Sequence, residues 1–399
     1  MVFSKLIRQI TKQLLPINTR TVNISVGAVR MAATSYQSFS SSQHVYRMSL
    51  NTCQSLYDRK HIDDYYSDAE EDYQQKNRNK WYIRFAPETG VKVNVEYVDT
   101  NPDAAADCPT IVVMHGFPGS YRDFDRLIKH FGGDDDNGKQ NVRLIVPNFP
   151  NFEDTDRLNY FWHSSEERSQ YLKDLLRQLN VRQIDCLVCH SASVSTAAYF
   201  WSSITEPIDS LKINSVCLLA TPGPKVATKL GHVFTGTVTN LMRVPSIRRF
   251  FRSRWSASLP TSVRRLLPYI GVSSKLDFDD FALLMTVYYL FDTEGTVVQR
   301  IRHLADKQIP TVAVFGLADR YHKKEIYDNI LDILGATEDN IVVYDSDDDN
   351  NKDTVTIRPI GDNDDHRWLR VIKIKGAGHY PFNTHHKLIH QFIEQLIAK

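Results

Sequence analysis

Apolar residues along this chain fall into two rhythms. Trp81-Tyr-Ile-Arg-Phe and Val91-Lys-Val-Asn-Val-Glu-Tyr-Val alternate apolar with polar positions around a Thr89-Gly90 turn, which predicts two antiparallel strands. Thr110-Ile-Val-Val-Met-His-Gly and Val142-Arg-Leu-Ile-Val-Pro instead run almost continuously apolar, as strands buried on both faces do. Between them, Ser120 with Asp123 three residues on opens a helix carrying Phe124, Leu127, Ile128 and Phe131. Ser164-x-x-Glu167 likewise caps a helix whose stripe is Leu172, Leu175, Leu176 and Leu179.

The alternation continues with a strand over 184–190, a sharp join at Ser191 and an alanine- and aromatic-rich helix, then a strand from Ile213 to Leu219. From about 224 to 308 it gives way to helical, Arg-rich sequence broken by prolines. It resumes with the strand Thr311-Val-Ala-Val-Phe, a helix near Lys324 to Leu334, the strand Val371-Ile-Lys-Ile-Lys and a final helix. That helix carries Leu388, Ile389, Phe392, Ile393, Leu396 and Ile397 on one side. Strands alternating with helices predict an α/β fold: a mostly parallel central sheet with helices on both faces, and a helical cap insertion at about 224–308. Residues 336–366 hold ten acidic residues and few apolar ones, so they read as a solvated insertion with no metal role.

Composition narrows the function. At 42% hydrophobic and 24% charged, with a net charge of +1, the 399-residue chain reads as a soluble globular protein without a dedicated nucleic-acid surface. Five cysteines are too few, and odd in number, for a disulfide framework. Cys186-x-x-Cys189 looks like a redox or metal pair, but residues three apart on a strand point to opposite faces.

Charge is unevenly spread. Residues 1–57 contain no Asp or Glu, yet carry Lys5, Arg8, Lys12, Arg20, Arg30 and Arg47, with Leu6, Ile7, Ile10 and Leu14 forming a helical stripe. That profile predicts a mitochondrial targeting segment, the alternatives being a disordered basic tail on a cytoplasmic protein or a working start at Met48. Residues 210–276 also lack Asp and Glu while holding eleven Lys or Arg. There Ile247, Phe250, Phe251 and Trp255 recur at helical spacing beside Arg248, Arg249 and Arg252, so the basic cap is a candidate for docking on an anionic membrane surface. Packing of the same stripes on the body of the protein is the plainer alternative.

In parallel sheets chemistry gathers just beyond the carboxyl ends of the strands. The strand at 110 delivers His115-Gly-Phe-Pro-Gly-Ser120, that at 184 delivers Ser191, that at 311 delivers Asp319, and that at 371 delivers Gly376-Ala-Gly-His379. A serine, a carboxylate and a histidine thus come in that order, each at a strand end.

On these residues the chain, over roughly 80–398, resembles the α/β-hydrolase superfamily. The HGFPGS loop is most similar to that of the epoxide-hydrolase, dehalogenase and esterase branches. The nucleophile turn departs from the usual pattern, with Cys189 and Ser193 where glycines normally stand. The resemblance implies Ser191 as nucleophile, His379 as general base and Asp319 as the group orienting the imidazole. It also implies an oxyanion hole from the backbone N–H groups of Ala192 and Phe117, since Pro118 has none. His115 is expected to brace that loop, and His190 not to be the base. A serine at the elbow excludes epoxide-hydrolase and dehalogenase chemistry, both of which need a carboxylate there. What remains is acyl transfer to water from a small-molecule or lipid ester, with no cofactor and no metal. The competing expectation is a non-catalytic relative that binds a ligand or acts as a scaffold.

Overall fold

A computed structural model describes residues 44–52, 91–105, 107–133, 142–150, 163–203, 211–223, 229–242, 281–287, 296–322, 324–345 and 368–398, with isolated positions between 247 and 264. The chain runs β1 (Val45–Thr52), β2 (Val91–Asp99), β3 (Thr110–Met114), α1 (Asp125–Gly132), β4 (Arg143–Pro147) and α2 (Ser165–Gln178). It continues through β5 (Gln183–Ile184), β6 (Cys186–His190), α3 (Ser193–Ser203), β7 (Lys212–Ile213), β8 (Val216–Leu219), α4 (Lys229–Met242) and α5 (Thr296–Asp306). The last part is β9 (Thr311–Gly316), α6 (Lys324–Ile333), β10 (Ile341–Tyr344), β11 (Leu369–Ile374), α7 (Pro381–Thr384) and α8 (His386–Ile397).

Nine strands form one sheet in the order β1-β2-β4-β3-β6-β8-β9-β11-β10. Only the β1–β2 and β2–β4 pairings are antiparallel; from β4 to β10 every pairing is parallel. The central strands β3, β4, β6 and β8 are buried along their whole length, which is why they read as unbroken apolar runs. Alternate residues serve opposite faces. Ile111, Val113, Val188, Val312 and Ile374 meet Leu127, Phe131, Ile389 and Phe392 of α1 and α8. The other face is covered by α2, α3 and α5, which lie against one another. Both sequence-read capping boxes are present: Ser120 with Asp123, and Ser164 with Glu167. Ser120 first opens a short 3-10 turn, Tyr121–Phe124, that leads into α1.

Cys186 belongs to the core on the α1–α8 side and Cys189, three residues on, does not. Both are buried free thiols, and burial pushes both pKa values up, Cys186 to about 12, so neither forms a thiolate near neutral pH.

Three boundaries differ from the sequence expectation. Val45–Thr52, which fell within the basic N-terminal segment, is a sheet strand paired with β2 over eight residues. Leu50 and Thr52 are buried, Thr52 Oγ1 donates to Asp174 Oδ2 on α2 at 2.9 Å, and Arg47 pairs with the buried Glu96 at 2.9 Å. Ile341–Tyr344, inside the acidic stretch, is the edge strand β10, parallel to β11. The end of the expected cap is also part of the body. Helix α5 buries Val297, Ile301 and Leu304, and the Arg300 carbonyl accepts from Trp201 Nε1 on α3 at 2.6 Å. The strand expected at Trp81–Phe85, residues 1–43 of the expected import segment and the cap arginines 248, 249 and 252 lie outside the described residues.

Candidate active site

Because β3, β6, β9 and β11 are parallel and β6, β8 and β9 adjoin, the loops leaving their carboxyl ends share one edge of the sheet. Ser191 occupies the turn between β6 and α3 with φ 53°, a left-handed conformation that costs an L-residue energy and is held only by its surroundings. Its backbone N–H donates to Leu219 O at 2.9 Å. The β3 loop presses close, since a Cβ on Gly116 would lie 2.9 Å from Ser191 Cβ. Glycine is required there for that approach. The two elbow substitutions fit. Cys189 is fully buried in β6, and Ser193 Oγ donates to His190 O at 2.8 Å, so the added hydroxyl has a partner.

The three residues from separate strand ends meet. His379 Nε2 lies 2.9 Å from Ser191 Oγ, and His379 Nδ1 lies 2.8 Å from Asp319 Oδ2. A carboxylate only accepts, so Nδ1 carries the proton and Nε2 is left with its lone pair toward the serine. Asp319 Oδ2 also accepts from the Tyr327 hydroxyl, and Oδ1 accepts from the backbone N–H groups of Tyr321 at 2.7 Å and His322 at 3.2 Å. Burial alone would raise the Asp319 pKa, but hydrogen bonding to and the charge of His379, with the Tyr327 and Tyr321 donors, bring it down to about 2. It is therefore ionised at any pH above about 4. Burial, reinforced by Asp319, drives the Tyr327 phenol up, so Tyr327 stays a donor.

The loops carrying Asp319 and His379 are joined directly. Ala318 N–H donates to Ala377 O at 2.9 Å, and Gly316 lies so close that a Cβ would fall 2.3 Å from the carbonyl oxygens of both Ala377 and Gly378.

Three histidines surround this arrangement in different roles. His190 is set away from the serine: its Nε2 donates to the backbone carbonyl of His379 at 3.1 Å, tying down the loop that carries His379. His115 accepts the Phe149 N–H on Nε2 at 3.1 Å, so its Nδ1–H donates to Gly116 O at 2.7 Å. Burial lowers its pKa to about 4, and a neutral ring buttresses the β3 loop. His322 packs edge-on against His379, with ring centroids 4.9 Å apart.

Phe117, on that loop, is buried against His115 and Phe149, and Ala192 directly follows Ser191 at the mouth of α3. The guanidinium of fully buried Arg168 lies 4.5 Å from the centre of the Phe117 ring. It donates from Nε to Thr196 Oγ1 at 2.7 Å and from Nη2 to Ser195 Oγ at 3.3 Å, so one side chain spans the β3 loop and the first turn of α3.

Sequence reading did not single out Tyr327, His322, Arg168 or Gly316. Tyr321 and His322 stand two and three residues after Asp319 and could have been noticed there; Arg168 and Tyr327 carry no local signal. Among the described residues, no group of three or more His, Cys, Asp or Glu is placed to hold a metal ion. Nor is any described helix long and apolar enough to cross a membrane.

Residues 75–254 match the family model described as "Alpha/beta hydrolase of unknown function (DUF1057)", a span that includes Ser191 and stops before Asp319 and His379. A 116-residue stretch is 25% identical to the uncharacterized protein F35H12.5 of Caenorhabditis elegans, covering 29% of this chain and 30% of that relative's length. Among solved structures, an esterase from Thermogutta terrifontis aligns over 77% of this chain and 95% of its own, at 14% identity and a TM-score of 0.48. Epoxide hydrolases from metagenomes of hot environments align over 78% and 97%, at 15% identity and 0.46. The fold is the α/β-hydrolase fold.

Proposed function

We propose that this chain is a serine hydrolase that cleaves a carboxylic ester or lipid acyl substrate through an acyl-enzyme intermediate. The observation that carries the proposal is the continuous Ser191–His379–Asp319 relay, with contacts of 2.9 and 2.8 Å and the imidazole tautomer fixed by Asp319.

In this reading His379 Nε2 takes the Ser191 proton as Oγ attacks the ester carbonyl, and Asp319 stabilises the imidazolium that forms. The carbonyl oxygen then carries negative charge. The backbone N–H groups of Ala192 and Phe117 are the proposed donors to it, and losing one such donor costs about 3 kcal/mol in the transition state. The imidazolium gives its proton to the leaving alcohol. Water enters, His379 takes a proton from it, and attack on the acyl carbonyl returns the serine. A serine in place of a carboxylate at the elbow favours this chemistry over epoxide opening.

A fluorophosphonate probe reports on the serine directly. Purified protein should be labelled at Ser191 and should hydrolyse short p-nitrophenyl esters, and Ser191→Ala or His379→Ala should lower turnover by at least about 10³-fold. Undiminished turnover in Ser191→Ala would refute the assignment. Folded wild-type protein with neither labelling nor turnover would favour a ligand-binding or scaffold role instead.

A further inference from the structure

We propose that His322 is a specificity-determining residue that hydrogen-bonds a hydroxyl group on the acyl part of the substrate. The inference rests on the serine-hydrolase reading and extends it to a substrate class, hydroxylated acyl esters.

His322 is only 6% exposed, yet neither of its ring nitrogens has a hydrogen-bond partner. Buried polar groups are paired in the great majority of cases, so two orphaned nitrogens on one ring call for a ligand. The ring is held in place without using either nitrogen. The His322 backbone N–H donates to Asp319 Oδ1 at 3.2 Å, and the ring packs edge-on against His379 at 4.9 Å and Tyr327 at 5.8 Å.

Other buried imidazole nitrogens without partners include one each on His190 and His390. His190 Nδ1 faces Gly116, 3.0 Å from where a Cβ would stand, and so has no room for a partner. His390 Nε2 belongs to α8, whose His390 ring stacks on His130 at 4.0 Å, on the other helical layer. His322 packs on His379 with both nitrogens unpaired, and neighbouring Tyr321, whose ring is 4.9 Å from that of His379, is 46% exposed.

The chemistry of the ring selects the ligand. Burial, with the charge of His379 acting in the same direction, lowers the His322 pKa to about 4 against the opposing pull of Asp319. A neutral imidazole offers one N–H donor and one lone pair. A hydroxyl can meet either, since it both donates and accepts, whereas a carboxylate would leave the lone pair opposed. A second base is not implied, because both Asp319 oxygens already accept hydrogen bonds from other groups and His379 holds the serine.

The test uses the full chain and p-nitrophenyl butyrate beside its 2-, 3- and 4-hydroxy derivatives. Wild type should prefer at least one hydroxylated ester by about tenfold in kcat/KM, the fold-change of one neutral hydrogen bond. His322→Leu should bring that ratio near one, and His322→Gln, which keeps a donor and an acceptor, should retain part of it. A purely structural role would lower all the esters alike and leave the ratio unchanged, which overturns the proposal. So does a wild type with no preference for any hydroxylated ester, a result read before any variant has to fold. Fluorophosphonate labelling at Ser191 is measured in parallel: if it is absent the serine-hydrolase reading fails, and if it is present with an unchanged ratio only the role of His322 does.

Discussion

Replacing Gly316 by alanine adds one carbon at the end of β9, at the point where the loops bearing Asp319 and His379 touch. The new Cβ would stand 2.3 Å from Ala377 O and from Gly378 O, and 2.6 Å from the Ala377 carbonyl carbon. Real Cβ atoms essentially never come within 3.0 Å of another heavy atom, so the carbonyls must retreat by at least about 0.7 Å. All these atoms are backbone, and no side-chain rotation relieves the contact. The displacement also falls on a working bond, because Ala377 O is the acceptor for Ala318 N–H at 2.9 Å.

Gly378 immediately precedes His379, so retreat moves the base relative to Asp319 and Ser191. A misplacement near 1 Å can cost about 100-fold in rate. The expected result is a 30- to 100-fold loss in kcat for p-nitrophenyl butyrate and a parallel slowing of fluorophosphonate labelling. Overpacking strain of about 1–3 kcal/mol should also lower the melting temperature by several degrees. Gly335→Ala is the control. Gly335 has φ +68° and nothing within 4 Å, so its variant suffers backbone strain of about 1 kcal/mol without a collision near the relay. It should melt earlier and keep its turnover. Folded Gly316→Ala with kcat within about threefold of wild type would show that the contact between these loops does not position the relay.

Two further outcomes follow from buried groups. Burial lowers the pKa of His115 and His322 to about 4 and of His390 to about 3, and that of His190 well below its ordinary value. Since unfolded histidine titrates near 6.5, the unfolded state binds more protons below that pH; this stabilisation is complete above about 6.5 and is lost as pH falls through the folded values. Melting temperature should fall steeply between pH 6.5 and 4.5, each histidine contributing up to about 1.4 kcal/mol per pH unit, and His390→Phe should flatten the slope; a flat profile in wild type would contradict the burial of these rings. Arg168→Met should lower kcat about tenfold with KM within twofold, because it severs the link between the β3 loop and α3. Arg168→Lys should recover only part, lacking the planar fork; an unchanged kcat in Arg168→Met would remove Arg168 from any positioning role.

The body of the fold was legible where parallel strands are buried on both faces, because there burial forces unbroken apolar runs such as Thr110–Met114 and Thr311–Phe315. It was illegible at the two edges of the sheet. Strand β1 has one inward row and carries Arg47 and Asn51 on its outer face, so it resembled the basic segment before it. Strand β10 leaves Val342 and Val343 roughly half exposed and sits among acidic residues, which hid a short apolar stretch behind the composition around it. The end of the cap was misjudged for a related reason: α5 is Arg-bearing on one side, and its contacts with Tyr199, Trp201 and Ser202 of α3 are what mark it as part of the body.

At the site, order along the chain was sufficient to expect Ser191, Asp319 and His379 at one edge of the sheet, where they meet, since a parallel sheet brings strand ends to one edge whatever the loops between them. The supporting residues depend on distances that no spacing encodes. Gly316 matters because of Ala377, and Tyr327 because of where α6 begins. Those supports also bear on the choice between a hydrolase and a binding relative. A buried carboxylate with four hydrogen-bond contacts, two of them from backbone amides, is costly to assemble and is stabilised chiefly by the neighbouring histidine. A pocket that only held a ligand would gain nothing from an ionised Asp319 behind an imidazole aimed at a strained serine. An enzyme gains stabilisation of the imidazolium at the moment it forms, and that difference favours the catalytic reading of the site.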